Sequence, residues 1–279
     1  MLGEMFSPQG PTLRELTVQA LSSVEHGYDL LAPKFDHTPF RTPDTILDAV
    51  GRALEPLGPF AAGLDLCCGT GAGMEVLREL CRDRVAGVDI SAGMLTVGRR
   101  RLAAEAPPSG AAPGAGSPAV SWVRGDARAL PFGSAFDLVV SFGAFGHFLP
   151  DELPGLFAGV HAALRPGGRF AFPVAAPPRI GSPWYWALLG FDSVMRVRNA
   201  VLRPPFVMYY REFRLADVRR ELKRAGFRTE LHALPEFGRR KDGAPRARMV
   251  VATRPGATGP RGEGPGDPAV HQAAGSVNS

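Results

Sequence analysis

The stretch GLDLCCGTGAG, residues 63–73, constrains this chain more than any other. A short apolar run carries one carboxylate, Asp65, then breaks at Cys67 and Cys68 into a turn holding Gly69, Gly71 and Gly73. That order reads as strand, glycine turn, helix. Glycine lets a backbone approach a ligand closely, and a helix N-terminus offers free N–H groups and positive potential. A metal site, a redox pair and a cofactor loop would each use such a stretch. No His or further Cys stands at a useful local spacing, which argues against metal. Adjacent thiols make a poor redox pair, because a disulfide needs its Cα atoms well placed. Cys67 and Cys68 then read as small residues that fit a crowded turn. The dinucleotide fingerprint G-x-G-x-x-G also fails, since its third glycine position, counted from Gly69, holds Met74.

An alternation surrounds the stretch. Residues 43–57 place Ile46, Leu47, Val50, Leu54 and Leu57 on one helical face. Strands are predicted at 63–66, 84–90, 120–126 and 136–143, and a fifth at GRFAFPV. Helices are predicted at 74–81, 92–106, 151–164 and 215–225. RPGG, residues 165–168, reads as the stop of the helix before it, with Gly167 and Gly168 making the turn. Repeated β-α-β order means a parallel sheet covered by helices on both faces. Ligands of such sheets bind beyond the carboxyl ends of the strands, where Asp65, Asp89 and Asp126 all fall.

The chain has 279 residues, enough for one large α/β domain with additions, and its 45% hydrophobic content suffices for a core. A net charge of +5 keeps nucleic acid or an anionic membrane in play without arguing for either. Three cysteines, two of them adjacent, do not form a disulfide framework and suit a reducing compartment. MLGEMFSPQGPTLREL lacks the pattern of a secretory signal, so a cytoplasmic protein is expected. Residues 106–119 read as a flexible loop and 255–279 as a disordered tail, being rich in Gly, Pro and Ala. Truncation after Ala252 is therefore expected to leave the fold intact.

DLCCGTGAG, GVDISAGML, VRGDARALPF, FDLVVSFGAFGHFLPDEL and ALRPGGRFAF follow one another in this order. Together they resemble the class I S-adenosylmethionine-dependent methyltransferases, in particular the methyltransferase type 11-like group. The resemblance covers roughly 28–172 and 213–254. It implies a Rossmann-like, doubly wound, mostly parallel seven-stranded sheet with helices on both faces. The methyltransferase domain would span 1–254, with a helical cap insertion at about 174–212. S-adenosylmethionine would be the cofactor and S-adenosylhomocysteine its product. By the same resemblance Asp65, Gly69, Thr70 and Gly71 would hold the methionine part. Asp89 would accept from the ribose hydroxyls, Ile90 and Met94 would pack near the adenine, and Asp126 with Ala127 would contact it. Phe142 and Gly143 would face the sulfonium. Cys67 stands where the family usually has the first glycine of its loop. YDLLAPKFD, 28–36, resembles the group's N-terminal segment, which makes Tyr28 either a lid over the cofactor or a packed helix aromatic.

Methyl transfer from a sulfonium is an in-line displacement that rests mainly on positioning. An oxygen or carbon acceptor would also benefit from a base, and His147 is the best candidate, ahead of His37; a positioning or structural role for His147 stays open. SFGAF stands where amino-directed nucleic-acid methyltransferases carry an Asn/Asp-Pro-Pro-aromatic element, so a small or lipid-like apolar acceptor is expected over nucleic acid. RNA or protein methylation, a non-catalytic cofactor-binding role and a nicotinamide oxidoreductase are the alternatives. Residues 183–210 hold Trp184, Trp186, Tyr185, Tyr209 and Tyr210 with interleaved arginines. They read as a cap lining an apolar acceptor pocket, as a helical pair packed on the sheet, or as a basic amphipathic surface resting on a membrane.

Overall fold

In a computed structural model, residues 9–105, 117–209 and 214–256 are described. The loop expected at 106–119 lies outside them except for its last three residues, as does the tail beyond 256. The chain opens with α1 (Leu13–Leu21) and α2 (Val24–Leu31), followed by α3 (Asp44–Leu54). Then come β1 (Phe60–Leu66), α4 (Ala72–Leu80), β2 (Cys81–Asp89), α5 (Ala92–Glu105), β3 (Ala119–Arg124) and β4 (Phe136–Val140). After these follow α6 (Leu153–Ala163), β5 (Leu164–Ala175), α7 (Pro183–Val201), α8 (Leu215–Arg224), β6 (Arg228–Ala233) and β7 (Ala247–Thr253). The seven strands form one sheet in the order β3-β2-β1-β4-β5-β7-β6, parallel except for β7, which runs antiparallel to both β5 and β6. The order reverses between β1 and β4, and the crevice for a ligand opens at that switch point.

Alternation along β1 explains the two layers. Ala62, Leu64 and Leu66 join Phe157, Val160, Phe170 and Phe172 in the core under α6 and α8. Gly63 faces the other way: a Cβ there would lie 2.7 Å from Cys81 Sγ and 3.0 Å from Leu77 of α4. On that face Val50, Leu54, Leu77 and Val85 close a second core under α3 and α4. Burying each such side chain contributes about 1.5–3 kcal/mol, so both faces must stay covered.

Four expectations are corrected. The helix expected at 43–57 ends at Leu54 and continues only as a tight turn at Glu55–Leu57, since Pro56 has no amide to extend it. Cys81 opens β2 rather than closing α4. RPGG does not separate helix from strand: α6 ends in the extended Leu164, which already pairs with Phe136, and the four residues bulge out before pairing resumes at Leu138 and Arg169. Gly167 takes φ +83° in that bulge. Finally, the chain after Ala252 belongs to the fold. The Arg254 amide donates to Gly168 at 2.8 Å, and its guanidinium reaches the carbonyls of His161 and Leu164 at 2.8 and 2.5 Å.

Residues 183–201 are a single helix, not a helical pair, and the chain returns from it as an extended segment through Tyr209. Met195, Phe206 and Tyr209 cluster against Tyr28 and Leu149.

Candidate active site

Asp65 is the penultimate residue of β1, with its side chain on the α4 face. It is 1% exposed, and neither carboxylate oxygen has a hydrogen-bond partner of good geometry among the described residues. Burial, reinforced by the Asp89 carboxylate, pushes its pKa well above the usual carboxylate range; the Met74 amide opposes this weakly. A Cβ on Gly73 would fall 2.5 Å from Asp65 Oδ2 and 2.6 Å from the Phe142 ring, so only glycine fits beside the carboxylate. A buried carboxylate without a hydrogen-bond partner is costly to keep ionised unless a cation or donor meets it.

The turn after β1 is left-handed at three positions: Cys67 (φ 58°), Gly69 (φ 52°) and Gly71 (φ 96°). Glycine tolerates this region freely, whereas Cys67 is strained in it. The turn is tied to β2, since the Cys68 amide donates to Val88 O at 3.0 Å and the Gly69 amide to Asp89 Oδ2 at 2.8 Å. Asp89 Oδ1 accepts from the Ser91 amide at 2.9 Å, and the side chain stays half-buried, with lone pairs left for a ligand. Burial raises its pKa above the usual range, chiefly through desolvation. Burial and the surrounding carboxylates also push the Cys67 and Cys68 thiols well above their ordinary value, so both are held as neutral thiols.

Ile90 is half-buried at the end of β2, whereas Met94 is fully buried in the first turn of α5. Asp126 accepts from the Arg128 amide and from its guanidinium at 2.7–3.0 Å, which holds its pKa below the usual range. Ala127 is buried beside it. At the end of β4, Ser141 donates to Leu66 O at 3.0 Å, locking this strand end to that of β1. Phe142 follows, half-buried, and then Gly143 at φ 74°.

The N-terminal segment crosses the crevice as a strap. Asp29 Oδ1 accepts from Ser91 Oγ at 2.6 Å and from the Gly93 amide at 2.8 Å, at the start of α5. Asp36 Oδ1 accepts from Thr70 Oγ1 at 2.6 Å, and Arg41 and Arg101 flank it. Tyr28 Oη reaches His147 Nε2 at 2.9 Å, and Phe35 approaches Gly69. The strap is thus fastened at the ends of β1 and β2 and just beyond β4. Sequence reasoning singled out Tyr28 and Thr70 but missed Asp29, Asp36 and Ser91. The repeated Tyr/Phe-Asp pairs of YDLLAPKFD were the signal that could have found the two acids.

His147 ends a short turn after Gly143. Its Nδ1 lies 2.7 Å from the Val207 carbonyl, which can only accept; Nδ1 therefore carries the proton and Nε2 accepts from Tyr28. Burial lowers its pKa below 6.5, partly offset by the bond to Val207. His37 lies at the end of the strap's short helical turn and His161 in α6 against Phe227. Among the described residues no group of three His, Cys, Asp or Glu side chains is placed to hold a metal ion.

A seven-stranded sheet of this order, with a glycine turn after β1 and acids at successive strand ends, has the architecture of the class I methyltransferases. Residues 64–168 match the family described as "Methyltransferase domain". That match places a methyltransferase domain within the chain, on the β1–β5 part of the sheet. It is 33% identical over 156 residues to a demethylmenaquinone methyltransferase of Symbiobacterium thermophilum, covering 50% of this chain and 57% of that protein. To a 2-phytyl-1,4-naphtoquinone methyltransferase of Thermosynechococcus vestitus it is 32% identical over 116 residues, covering 40% and 44%. The chain thus spans about half the length of such curated relatives. Among solved structures, the YcgJ protein of Bacillus subtilis superposes with a TM-score of 0.52 at 15% identity, over 76% of this chain and 99% of that one. A protein of Haloferax volcanii, solved in complex with the Trm112 methyltransferase activator, gives 0.56 at 18% identity, over 84% and 98%. At such identities these two speak for the fold alone.

Proposed function

We propose that this protein transfers a methyl group from S-adenosylmethionine to an apolar or aromatic small molecule. One observation carries the reading: the buried Asp65 carboxylate has no partner of good geometry, and it stands in a glycine cradle at the topological switch point. The bound cofactor supplies an electrophilic methyl group on a sulfonium. Asp65, with Cys67, Gly69, Thr70 and Gly71 around it, would hold the methionine end. Asp89 would take the ribose hydroxyls. Ile90 and Met94 would bound the adenine, with Asp126 and Ala127 at its edge. Phe142 and Gly143 would face the reacting centre, and the Tyr28–Asp36 strap would exclude water from it.

For the proton of a hydroxyl acceptor, the hydrogen bonds give an order. His147 Nε2 is the accepting nitrogen and Tyr28 occupies it. An acceptor proton would pass to Tyr28 Oη as the tyrosine's own proton moves to Nε2, and the Val207 carbonyl would steady the imidazolium formed. Quinone-type acceptors of the two named relatives suit the aromatic cluster of Tyr28, Phe206 and Tyr209. In this reading 1–254 form the catalytic domain, 174–212 its cap and 255–279 a tail, and three free cysteines suit a reducing, cytoplasmic setting.

Calorimetric titration with S-adenosylmethionine and S-adenosylhomocysteine tests the cofactor. Release of S-adenosylhomocysteine in the presence of a prenylated naphthoquinol tests the transfer. Absence of cofactor binding in the folded protein would defeat the proposal; binding without turnover on any apolar acceptor would reduce the chain to a cofactor-binding protein.

A further inference from the structure

The two faces of α7 differ in kind. Tyr185, Leu188, Asp192, Met195 and Asn199 recur at helical spacing and turn inward. Asn199 fixes this face to the returning chain: its Nδ2 donates to Phe206 O at 3.0 Å and to Tyr209 Oη at 2.9 Å, and its Oδ1 accepts from the Phe206 amide at 3.0 Å. The opposite face carries Trp186, Val194, Val197 and Val201; Trp184 is exposed in the first turn on another side of the helix, and Ile180 stands just before it. These six are exposed from 58% (Trp186) to 87% (Ile180). Single exposed apolar residues are ordinary, but four large ones along about 22 Å of one helix side, with Trp184 and Ile180 exposed at its start, form a patch that needs a partner.

We propose that this face of α7 rests on an anionic membrane surface. The charge around it singles out that partner. From 176 to 209 the only acid is Asp192, which is buried on the inward face, while Arg179 and Arg203 are exposed and Arg196 lies over the Tyr209 ring, 5.0 Å from its centre. A second copy of the same face would bring arginines against arginines with no acid from this segment between them. An anionic lipid surface meets both the arginines and the apolar stripe. The two tryptophans add an apolar ring with a polar N–H, the combination that sits at headgroup level. No helix among the described residues is long and apolar enough to cross a membrane, and α7 keeps Asp192 and Asn199 on its other side. The helix would therefore lie along the interface rather than span it.

The proposal goes beyond methyl transfer and stands or falls separately, because lipid binding needs no methyl donor. The test is cosedimentation of the full chain with vesicles of phosphatidylcholine containing phosphatidylglycerol, against phosphatidylcholine alone, at about 0.05 and about 0.5 M salt. The chain should bind the anionic vesicles at low salt, at least about tenfold more weakly at high salt or without the anionic lipid, with a blue shift of tryptophan emission. Trp184→Ser with Trp186→Ser should lower partitioning at least about tenfold, and Arg179→Glu with Arg203→Glu should abolish the preference for anionic lipid. Melting temperature and cofactor affinity, measured on the same samples, should stay at wild-type values, which separates loss of lipid binding from loss of fold. Failure of the wild-type chain to bind anionic vesicles, or equal binding by the Trp184→Ser/Trp186→Ser variant, would overturn the proposal. So would a concentration-dependent dimer that those two substitutions disperse, which would assign the face to a second copy.

Discussion

Tyr28 donates its phenolic hydrogen to Nε2 of His147 across 2.9 Å, while Val207 O holds the other ring nitrogen at 2.7 Å. The residues are far apart in sequence, and the pair joins the strap to the turn after β4. Because the imidazole is neutral and its pKa lies below 6.5, the acid limb of the pH–rate profile should fall below that value. The same sign governs stability. The unfolded chain takes up the proton near 6.5 and the folded one resists it, so the contribution of His147 is complete above 6.5 and is lost as pH falls toward its depressed value. Tyr28→Phe and His147→Asn should each lower turnover by about 10²–10⁴ and remove the limb, with cofactor affinity within a few-fold of wild type. The double variant should be no slower than either single one, since the residues act in series. A Tyr28→Phe enzyme with the wild-type pH profile would confine Tyr28 to packing.

If Asp65 meets the cofactor as proposed, binding should be a proton-linked event. Its pKa lies well above 3.8 through burial, so below that elevated value the free protein holds a proton there that a cationic ligand must displace. Affinity should rise with pH from the ordinary value of 3.8 up to the elevated one, and binding should release a proton in that window. Calorimetry in two buffers of different ionisation enthalpy reads that release directly. Asp65→Asn should abolish it and weaken binding by about 2 kcal/mol or more, without lowering the melting temperature of the free protein. Identical heats in the two buffers would show that Asp65 meets no cation.

Most of the fold was legible because its units are local. The apolar runs ending at Asp65 and Asp89 announced their strands, and the spacing of Leu153, Leu156, Phe157 and Val160 announced α6. The RPGG bulge was misread because a left-handed glycine after a helix ordinarily marks its end, and only the pairing of Leu164 with Phe136 shows that the strand has already begun. Asp29 and Asp36 were out of reach for a different reason. Their partners, Ser91 and Thr70, lie tens of residues away, and nothing local tells an acid that caps a distant loop from one that faces water.

The strap predicts slow cofactor exchange. Asp36 accepts the Thr70 hydroxyl at 2.6 Å directly beside the glycine turn. Asp36→Asn keeps the shape but weakens a charge-assisted bond, typically by about 1–2 kcal/mol. Stopped-flow displacement should show cofactor dissociation accelerated by at least about fivefold, with a smaller change in association. An unchanged dissociation rate would mean that the strap does not open for exchange.

Four residues separate a harmless truncation from a damaging one. Arg254 binds Gly168 through its backbone and His161 and Leu164 through its guanidinium, fastening the end of β7 to the bulge of β5. Ending the chain after Gly256 should leave the melting temperature unchanged. Ending it after Ala252 should cost about 2–4 kcal/mol in urea unfolding, because it removes the Arg254 donors to Gly168, His161 and Leu164 and the pairing of Thr253 with Arg169 and Arg228. Equal stability of the two truncations would show that Arg254 contributes nothing.

Cys67 is a side chain where the backbone asks for glycine. At φ 58° an L-residue is disfavoured by about 1–2 kcal/mol, yet the thiol packs against the core beneath β1. Cys67→Gly relieves the strain but loses that packing and frees the unfolded chain by about 0.5–1 kcal/mol. Its stability should therefore lie within about 1 kcal/mol of wild type, with cofactor affinity retained. Cys67→Val is nearly as apolar but carries a branched Cβ into the left-handed region, and should cost at least about 2 kcal/mol. Packing alone predicts glycine least stable and valine no worse than cysteine, whereas strain makes valine the least stable, so urea unfolding of the three proteins separates the two effects. The thiol itself should alkylate slowly in the folded protein, because burial and the surrounding Asp89, Asp65 and Asp126 carboxylates hold it protonated. Valine as stable as cysteine would mean that the turn does not hold Cys67 left-handed, and the close approach of this loop to a cofactor would lose its support.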